Sequence, residues 1–558
     1  MALRLYSMGY LDTAFINMRP WTRRSLLHML EQSTPAIIAS GDNQAIDILA
    51  KLDEYIASEG AEDTSTDVHL NRGNVYGVQS LFDRVTGISG QTLRDSYHLG
   101  QTIVNDYGRP YEPGFNNIAG FATLAERGRF SLYVRGEYQH APAGTGYSTT
   151  DTGNPLAPNG LAETLSTIDE IPYSGYNLNQ TTIPAAVIAA QNPFRLDEAT
   201  LSFHVLGHEI SGGKSDAWEG PGYGGAMNWS NNAEDIYSFR INRVEPLTIP
   251  WVSRVLGPVR YDFFVGSLKG HSAPNEPWVH SEMFSFAPTS NFQFAFSRTV
   301  IWGGHGHGCL QPDGTVTPCD EPITMHTFLK SFFSVSDTNG SEKYSVDDPG
   351  ARYSDFSFSW RLPFVSHRLT LYTDSISHDD VSPVSAPRRA DYRPGIYLSQ
   401  VPGIPKLDFR AEGVSTDCST LICQHGTGEY WEVVQRQGYT NKGMIMGDWI
   451  GREAMGGQAW LTYHLSGNEW VQFEYLKKRT PSDFIPGGTS QNQYKVDVVK
   501  RLTKQLELDA WMQVERWKAP IYIQKANDGA NFDNVIAFKL TWYPHLHTDA
   551  ENPPPNQQ

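Results

Sequence analysis

The run Arg129-Phe130-Ser131-Leu132-Tyr133-Val134-Arg135-Gly136-Glu137-Tyr138-Gln139 decides the fold of this 558-residue chain. Phe130, Leu132, Val134, Gly136 and Tyr138 share one parity; the other carries Arg129, Ser131, Tyr133, Arg135, Glu137 and Gln139. A period of two predicts a strand whose faces meet different surroundings. The polar face carries too many charges for a dry sheet interior, where each would have to be paired. A water-filled lumen removes that difficulty and turns the apolar face to lipid.

The same period runs from about residue 70 to the end. Phe356, Phe358, Trp360 and Leu362 alternate with Asp355, Ser357, Ser359 and Arg361; Val471, Phe473 and Tyr475 alternate with Gln472 and Glu474. Leu506, Leu508, Ala510, Met512 and Val514 alternate with Glu507, Asp509, Trp511, Gln513 and Glu515, and Ile536, Phe538, Leu540 and Trp542 close the series. There are about eighteen such runs of about 8–11 residues, the length that crosses a bilayer at a tilt. No helical crossovers separate them, so the strands are antiparallel, and closure hides their edges. The expected fold is all-β: a closed antiparallel transmembrane β-barrel of about 18 strands with a small N-terminal α-helical unit on the periplasmic side. Tyr138, Trp470 and Trp542 suit aromatic girdles at strand ends.

Composition narrows the partners. Hydrophobic residues make up 39% and aromatics 12%, and the net charge of −17 argues against nucleic acid. No apolar run approaches the length of a membrane helix. The mean hydropathy of −0.41 is compatible with a barrel, because alternating strands average out. No cleavable leader opens the chain at Met1, so export implies a leader removed before this sequence begins.

Three regions follow. Residues 1–66 read as helical, with Leu26, Leu27 and Leu30 on one face and Ile46, Leu49, Leu52, Tyr55 and Ile56 on another. This unit is expected to serve as a packing domain or plug at one end of the body. Residues 67–547 form the barrel, and the proline-rich tail 548–558 is disordered. Short connections near Ser290-Asn291, Val365-Ser366 and Gly467-Asn468 contrast with long ones at 141–200, 211–233, 303–326 and 438–457. Short turns face the periplasm and long loops the exterior. Segment 141–200 is long enough to fold into the lumen and constrict it.

Gly207 to Asn232, GHEISGGKSDAWEGPGYGGAMNWSNN, is the most unusual loop. Glycine at this density permits positive φ and close backbone approach. Trp218, Tyr223 and Trp229 offer faces on which sugar rings stack, and Lys214, Asp216 and Asn228 offer hydrogen bonds to hydroxyls or acidic sugars. Arg298, at a strand end, reads equally as a ligand contact or a lumen ion-pair residue. The competing reading makes the glycines turn formers and the aromatics interface packing, and residue chemistry alone leaves both open.

The four cysteines fall as close pairs in loop-like sequence, Cys309 with Cys319 and Cys418 with Cys423, which suits local disulfides in an oxidising compartment. A metal site of Cys309, His305 and His307 is the weaker alternative, and neither metal nor cofactor is expected. Carboxylate pairs such as Glu209 with Asp216, or Asp216 with Glu219, could serve glycoside hydrolysis, but close pairs arise by chance in an acidic lumen. No GxSxG elbow, HExxH pair or P-loop is present, and His208 reads as a rim residue.

Several segments in order resemble the Wzi-type capsule-assembly family of outer-membrane β-barrel lectins. They are Asn105 to Tyr111, Arg135 to Gln139, Gly213-Lys214 with Trp218 to Gly222 and Ser230 to Ala233, Phe286 to Thr289 with Phe296 to Thr299, and Pro405 to Glu412. Arg19-Pro20-Trp21 is loosely similar as well. Glu219 stands where a second aromatic beside Trp218 is expected, and the cysteine-bearing loops are additions. The resemblance implies an eighteen-stranded barrel with periplasmic helices, in a Gram-negative outer membrane, that binds capsular polysaccharide or exopolysaccharide without chemistry. Its implied partners are that polymer, outer-membrane lipid including lipopolysaccharide, and the polysaccharide export machinery. A monomer is expected, since a closed barrel has no free edge. The alternatives are a porin or sugar-permeation channel, a structural surface protein and, less favoured, a glycoside hydrolase.

Overall fold

The computed structural model describes residues 1–58, 74–150, 153–171, 185–334, 338–365, 368–378, 389–417 and 426–549. Eighteen strands close into one antiparallel barrel. The first six are β1 (Asn74–Gly90), β2 (Gly114–Arg127), β3 (Phe130–His140), β4 (Phe194–Val205), β5 (His208–Lys214) and β6 (Tyr237–Arg243). The next six are β7 (Val259–Ser267), β8 (Trp278–Thr289), β9 (Phe292–Trp302), β10 (Ala351–Arg361), β11 (Leu369–His378) and β12 (Asp391–Leu398). The wall ends with β13 (Leu407–Ser415), β14 (Met455–Ser466), β15 (Glu469–Thr480), β16 (Thr489–Arg501), β17 (Leu506–Lys518) and β18 (Asn531–Trp542). β18 pairs back on β1, with Leu81 opposite Trp542 and Gly90 opposite Asp533.

Parity decides which way each side chain points. On β18, Phe532, Ile536, Phe538, Leu540 and Trp542 are exposed, while Asp533, Val535, Ala537 and Thr541 between them are buried. On β17, Met512 and Val514 face out and Gln513, Glu515 and Trp517 face in. Phe130, Leu132 and Tyr138 of β3 are likewise exposed, with Glu137 and Gln139 buried. A band of bare aromatic and aliphatic side chains around a closed wall far exceeds the patches that water-soluble monomers tolerate, and lipid is the medium that suits it.

Connections differ sharply at the two ends. Two residues join β2 to β3, β4 to β5, β8 to β9 and β14 to β15, whereas the links from β3 to β4, β9 to β10 and β13 to β14 are long. The links from β1 to β2, β5 to β6 and β13 to β14 enter the lumen. Residues 91–113, 215–236 and 426–454 run inside the wall and share one apolar core, including Tyr97, Met227, Trp229, Tyr430, Met446 and Trp449. Inward residues of distant strands join that core: Phe264 of β7, Ile301 of β9, Ile376 of β11, Val414 of β13 and Leu476 of β15. A second core, with Leu93, Leu161, Leu165, Phe484 and Trp517, lies towards β17. Segment 303–326, expected from its length to help occlude the lumen together with 141–200, supplies no residue of either core. That segment instead makes a hairpin, Gly304–Leu310 against Val316–Glu321, closed by a disulfide between Cys309 and Cys319. Cys418 and Cys423 lie outside the described residues.

Polar side chains clamp the plug. Glu412 of β13 accepts from the backbone N–H of Tyr223 at 2.7 Å and of Gly224 at 3.0 Å. Arg393 of β12 holds Glu412 and, at 2.7 Å, Asp448 of the next plug segment. A Cβ on Gly224 would strike the Gln458 amide and the Trp460 ring, and one on Gly225 would strike Asp448 and Arg393. The glycines are thus required by how closely the loop tip passes the wall. Further out, His98 Nδ1 meets Asp95 at 3.0 Å and its Nε2 meets Asp169 at 2.9 Å, all three buried. Burial opposes charge on His98, but Asp169 and Asp95 outweigh it and push the imidazole up to about 9.

The helices sit at the short-turn end: α1 (Ala2–Ser7), α2 (Arg23–Ser40) and α3 (Asn43–Ser58). Thr22 caps α2 by accepting from Ser25 N–H, and Asp42 caps α3 by accepting from Gln44 N–H. These helices share a core with Leu5, Leu11, Leu30, Ile37 and Ile48. Residues 1–20 go further than a packing unit. Ser7 meets Thr370 of β11 at 2.8 Å, Ile16 N–H donates to Gln293 of β9, and Met18–Arg19 pair with Trp218–Glu219 of the plug. The lumen is therefore entered from both ends.

Candidate functional site

The glycine-rich loop lies inside the lumen, and its polar and aromatic side chains have distinct surroundings. Lys214 is buried, donating to the Leu196 carbonyl at 2.7 Å and pairing with Glu234. Asn228 is buried with both amide atoms engaged, by Glu219 and Ser297 on one side and Thr299 and Tyr439 on the other. Trp229 is buried edge-to-face between Phe264 and Tyr439. Trp218 pairs with the N-terminal segment and carries the Arg19 guanidinium 5.0 Å from its ring centre. Asp216 borders a cavity of about 520 Å³ that it shares with Glu198, Glu209 and Arg240.

Arg298 faces the other way. It projects from the outer surface of the wall, where a helix, α4 (Met325–Phe333), leans on β8 and β9. Its guanidinium donates to the carbonyls of Ser331, Phe332 and Ser334 at 2.7–3.0 Å. It therefore caps this helix and does not line the lumen.

Tyr223 is the aromatic of the loop that opens onto free space, 41% exposed at the loop tip. Arg410 lies 4.6 Å above its ring and 3.9 Å from that of Tyr397, and Trp460 stands edge-on at 5.1 Å. Beneath the tip is a cavity of about 310 Å³ lined by Tyr223, Asn105, Trp460 and Trp511, with Gln458, Gln472, Gln493 and Gln513 between them. Lys495 and Arg84 lie within 5.4 and 5.7 Å of the Trp511 ring. A second cavity of about 280 Å³ shares Tyr223, Trp460 and Gln472 and runs towards Trp470 and His464 at the short-turn end. Rings that stack on C–H faces, interleaved with amides that both donate and accept, match the surface of a sugar.

Asn105 to Tyr111 and Pro405 to Glu412 meet the glycine-rich loop around this site. Asn105 donates to the Gly224 carbonyl at 2.7 Å, Tyr107 N–H donates to the Asn231 carbonyl, and Glu412 holds Tyr223 and Gly224. Arg109 bridges Asp106, Glu137 and Asp197. Trp460, Trp511 and the glutamines escaped the sequence reading. Their signal was present, because Trp511 lies on the polar parity of its strand between Asp509 and Gln513.

Comparison with known proteins gives a consistent picture. A family model described as capsule assembly protein Wzi matches residues 84–531. The solved structure of Wzi from Escherichia coli, an outer-membrane protein involved in group 1 capsule assembly and a carbohydrate-binding β-barrel, is similar with a TM-score of 0.61. Identity to it is 14%, over 96% of this chain and 97% of that one. OprD of Pseudomonas aeruginosa aligns at a TM-score of 0.40, with 8% identity over 85% of this chain and 98% of the other. OccAB2 of Acinetobacter baumannii aligns at 0.41, with 10% identity over 85% and 99%. No curated protein sequence matched the chain.

Proposed function

Since this chain belongs to the Wzi capsule assembly family, we propose that it is a non-enzymatic lectin of the Gram-negative outer membrane. It binds capsular polysaccharide or exopolysaccharide and helps to assemble and attach that polymer at the cell surface. The short-turn end with its helices faces the periplasm and the long loops face outward. The protein acts as a monomer, in contact with lipopolysaccharide and in line with the polysaccharide export machinery.

The observation that carries this reading is the cavity beneath the plug, where Tyr223, Trp460 and Trp511 alternate with four glutamines. In it, Tyr223 and Trp511 stack on sugar rings, and the amides read hydroxyls. Asp216 contributes polar contacts from the neighbouring cavity. Lys214, Trp218, Asn228 and Trp229 act by holding the loop that presents Tyr223, and Arg298 acts on the outer wall. Catalysis is not favoured: Asp106, Glu474, Asp497 and Asp509 all line the cavity among Arg84 and Lys495, and close carboxylate pairs arise by chance in so acidic a lumen. A porin is disfavoured by the apolar core across the lumen.

The test is retention of the host's purified surface polysaccharide on the detergent-held barrel, with polymer length measured before and after. Wild type is expected to retain polymer of unchanged length, and Tyr223→Ala or Trp511→Ala to weaken binding about tenfold, the equivalent of roughly 1.4 kcal/mol. Shortened polymer would make the protein a hydrolase. Undiminished binding by both variants would move the site to the outer loops.

A further inference from the structure

The disulfide-closed hairpin carries a buried cluster unrelated to the lumen cavity. Its pairing places His305 opposite Asp320 and His307 opposite Cys319, with a bulge at Gly306 between them. Without a bulge, two residues two apart in a strand would share a face; the extra residue re-aims one of them. His305 consequently points to solvent, 67% exposed, whereas the His307 side chain is fully buried. There His307 Nε2 lies 3.1 Å from Asp348 Oδ2 and 3.6 Å from Glu321 Oε2. The three donor atoms all fall within 4.8 Å of one another, and all three residues are buried.

The supporting contacts orient these groups without satisfying them. Gly303 N–H donates to Glu321 Oε2 and Gly350 N–H to Asp348 Oδ1. Glu321 Oε1 is buried with no hydrogen-bond partner. Among the described residues, neither carboxylate forms an ion pair with Arg or Lys; each faces the same imidazole. Two carboxylates buried against one imidazole can be ionised together only with a further cation beside them, because burying unbalanced charge is costly. Zinc bonds of about 2.0–2.2 Å in tetrahedral geometry separate neighbouring ligand atoms by about 3.3–3.5 Å, between the two distances observed.

We propose that His307, Glu321 and Asp348 form a binding site for a divalent transition-metal cation of the zinc type. The imidazole and the small number of oxygens disfavour calcium, which takes six to eight oxygen ligands. Cys309 and Cys319 are bonded to each other and supply no thiolate. The ion ties both ends of the loop between β9 and β10 together, since His307 and Glu321 come from the hairpin and Asp348 from the approach to β10.

The test uses the full-length barrel in detergent, stripped with a chelator and titrated with Zn²⁺ alone. One equivalent is expected to bind tightly and to raise the thermal midpoint. Glu321→Gln and Asp348→Asn, which keep size and shape, should each weaken binding at least tenfold, while His305→Ala leaves it unchanged. X-ray absorption of the zinc-loaded wild type should show one imidazole nitrogen with oxygens and no sulfur, a readout that does not depend on the variants folding. The proposal is overturned if wild type binds no Zn²⁺ below about 100 μM. It is equally overturned if both carboxamide variants keep full affinity, or if the spectrum shows sulfur or several imidazoles.

Discussion

At His98 one imidazole holds two carboxylates from different plug segments, Asp95 and Asp169. An imidazole in water titrates near 6.5, and here the two carboxylates raise it to about 9. The folded-state value is the higher one, so the stabilisation is complete below about pH 6.5 and is lost as pH rises through about 9. Replacing His98 by Ala should cost about 3–5 kcal/mol at pH 6, because two buried carboxylates then lose their shared partner. Thermal midpoints of wild type and His98→Ala should therefore lie far apart at pH 6 and approach each other at pH 9.5. A gap independent of pH would mean that the histidine acts only by filling space. At the same scale, Tyr223 and Trp511 differ in how they could be found. Tyr223 belonged to a conspicuous loop, whereas Trp511 was one aromatic on the polar parity of a strand, visible only once parity is read as lumen against lipid.

Elements explain what could be read from sequence and what could not. Strand parity is a local property set by which face meets lipid, so β3, β17 and β18 were legible residue by residue, whereas Trp470 of β15, expected in an aromatic girdle, lies on the inward parity and lines a lumen cavity beside Gln472. On this basis Phe538→Lys, inside β18 on the lipid face and 54% exposed, should destabilise the barrel by about 2–4 kcal/mol. Chemical unfolding in vesicles would measure it, and an unchanged midpoint would place β18 away from the hydrocarbon. The plug was harder. Its segments have no period, and their positions follow from partners far away in sequence, such as Glu412 for Tyr223 and Asp374 for Met227. The helix over Arg298 was hidden for the same reason: nothing local says that a strand-end arginine faces outward and finds three carbonyls.

For the whole molecule, the lumen holds two apolar cores that draw on strands from β7 round to β17. Excising residues 427–452 and bridging the gap with a short Gly-Ser linker should convert a non-conducting barrel into an ion-conducting one. Planar-bilayer recordings of the two forms decide it. Conductance in the intact protein would mean that the plug leaves a water path, and silence in the excised form would mean that the remaining segments suffice to block it. The same excision removes Asp448, a partner of Arg393, so some loss of thermal stability should accompany the opening.

The first twenty residues are gripped by Gln293, Thr370 and Asp408, which stand on β9, β11 and β13, and the seam joins residues more than 400 positions apart, Leu81 to Trp542. That seat is complete only when β9, β11 and β13 stand side by side in the wall. Contacts of such long sequence separation slow folding. Docking of residues 1–20 is therefore tied to assembly of the wall, and the two are expected to form together rather than one before the other.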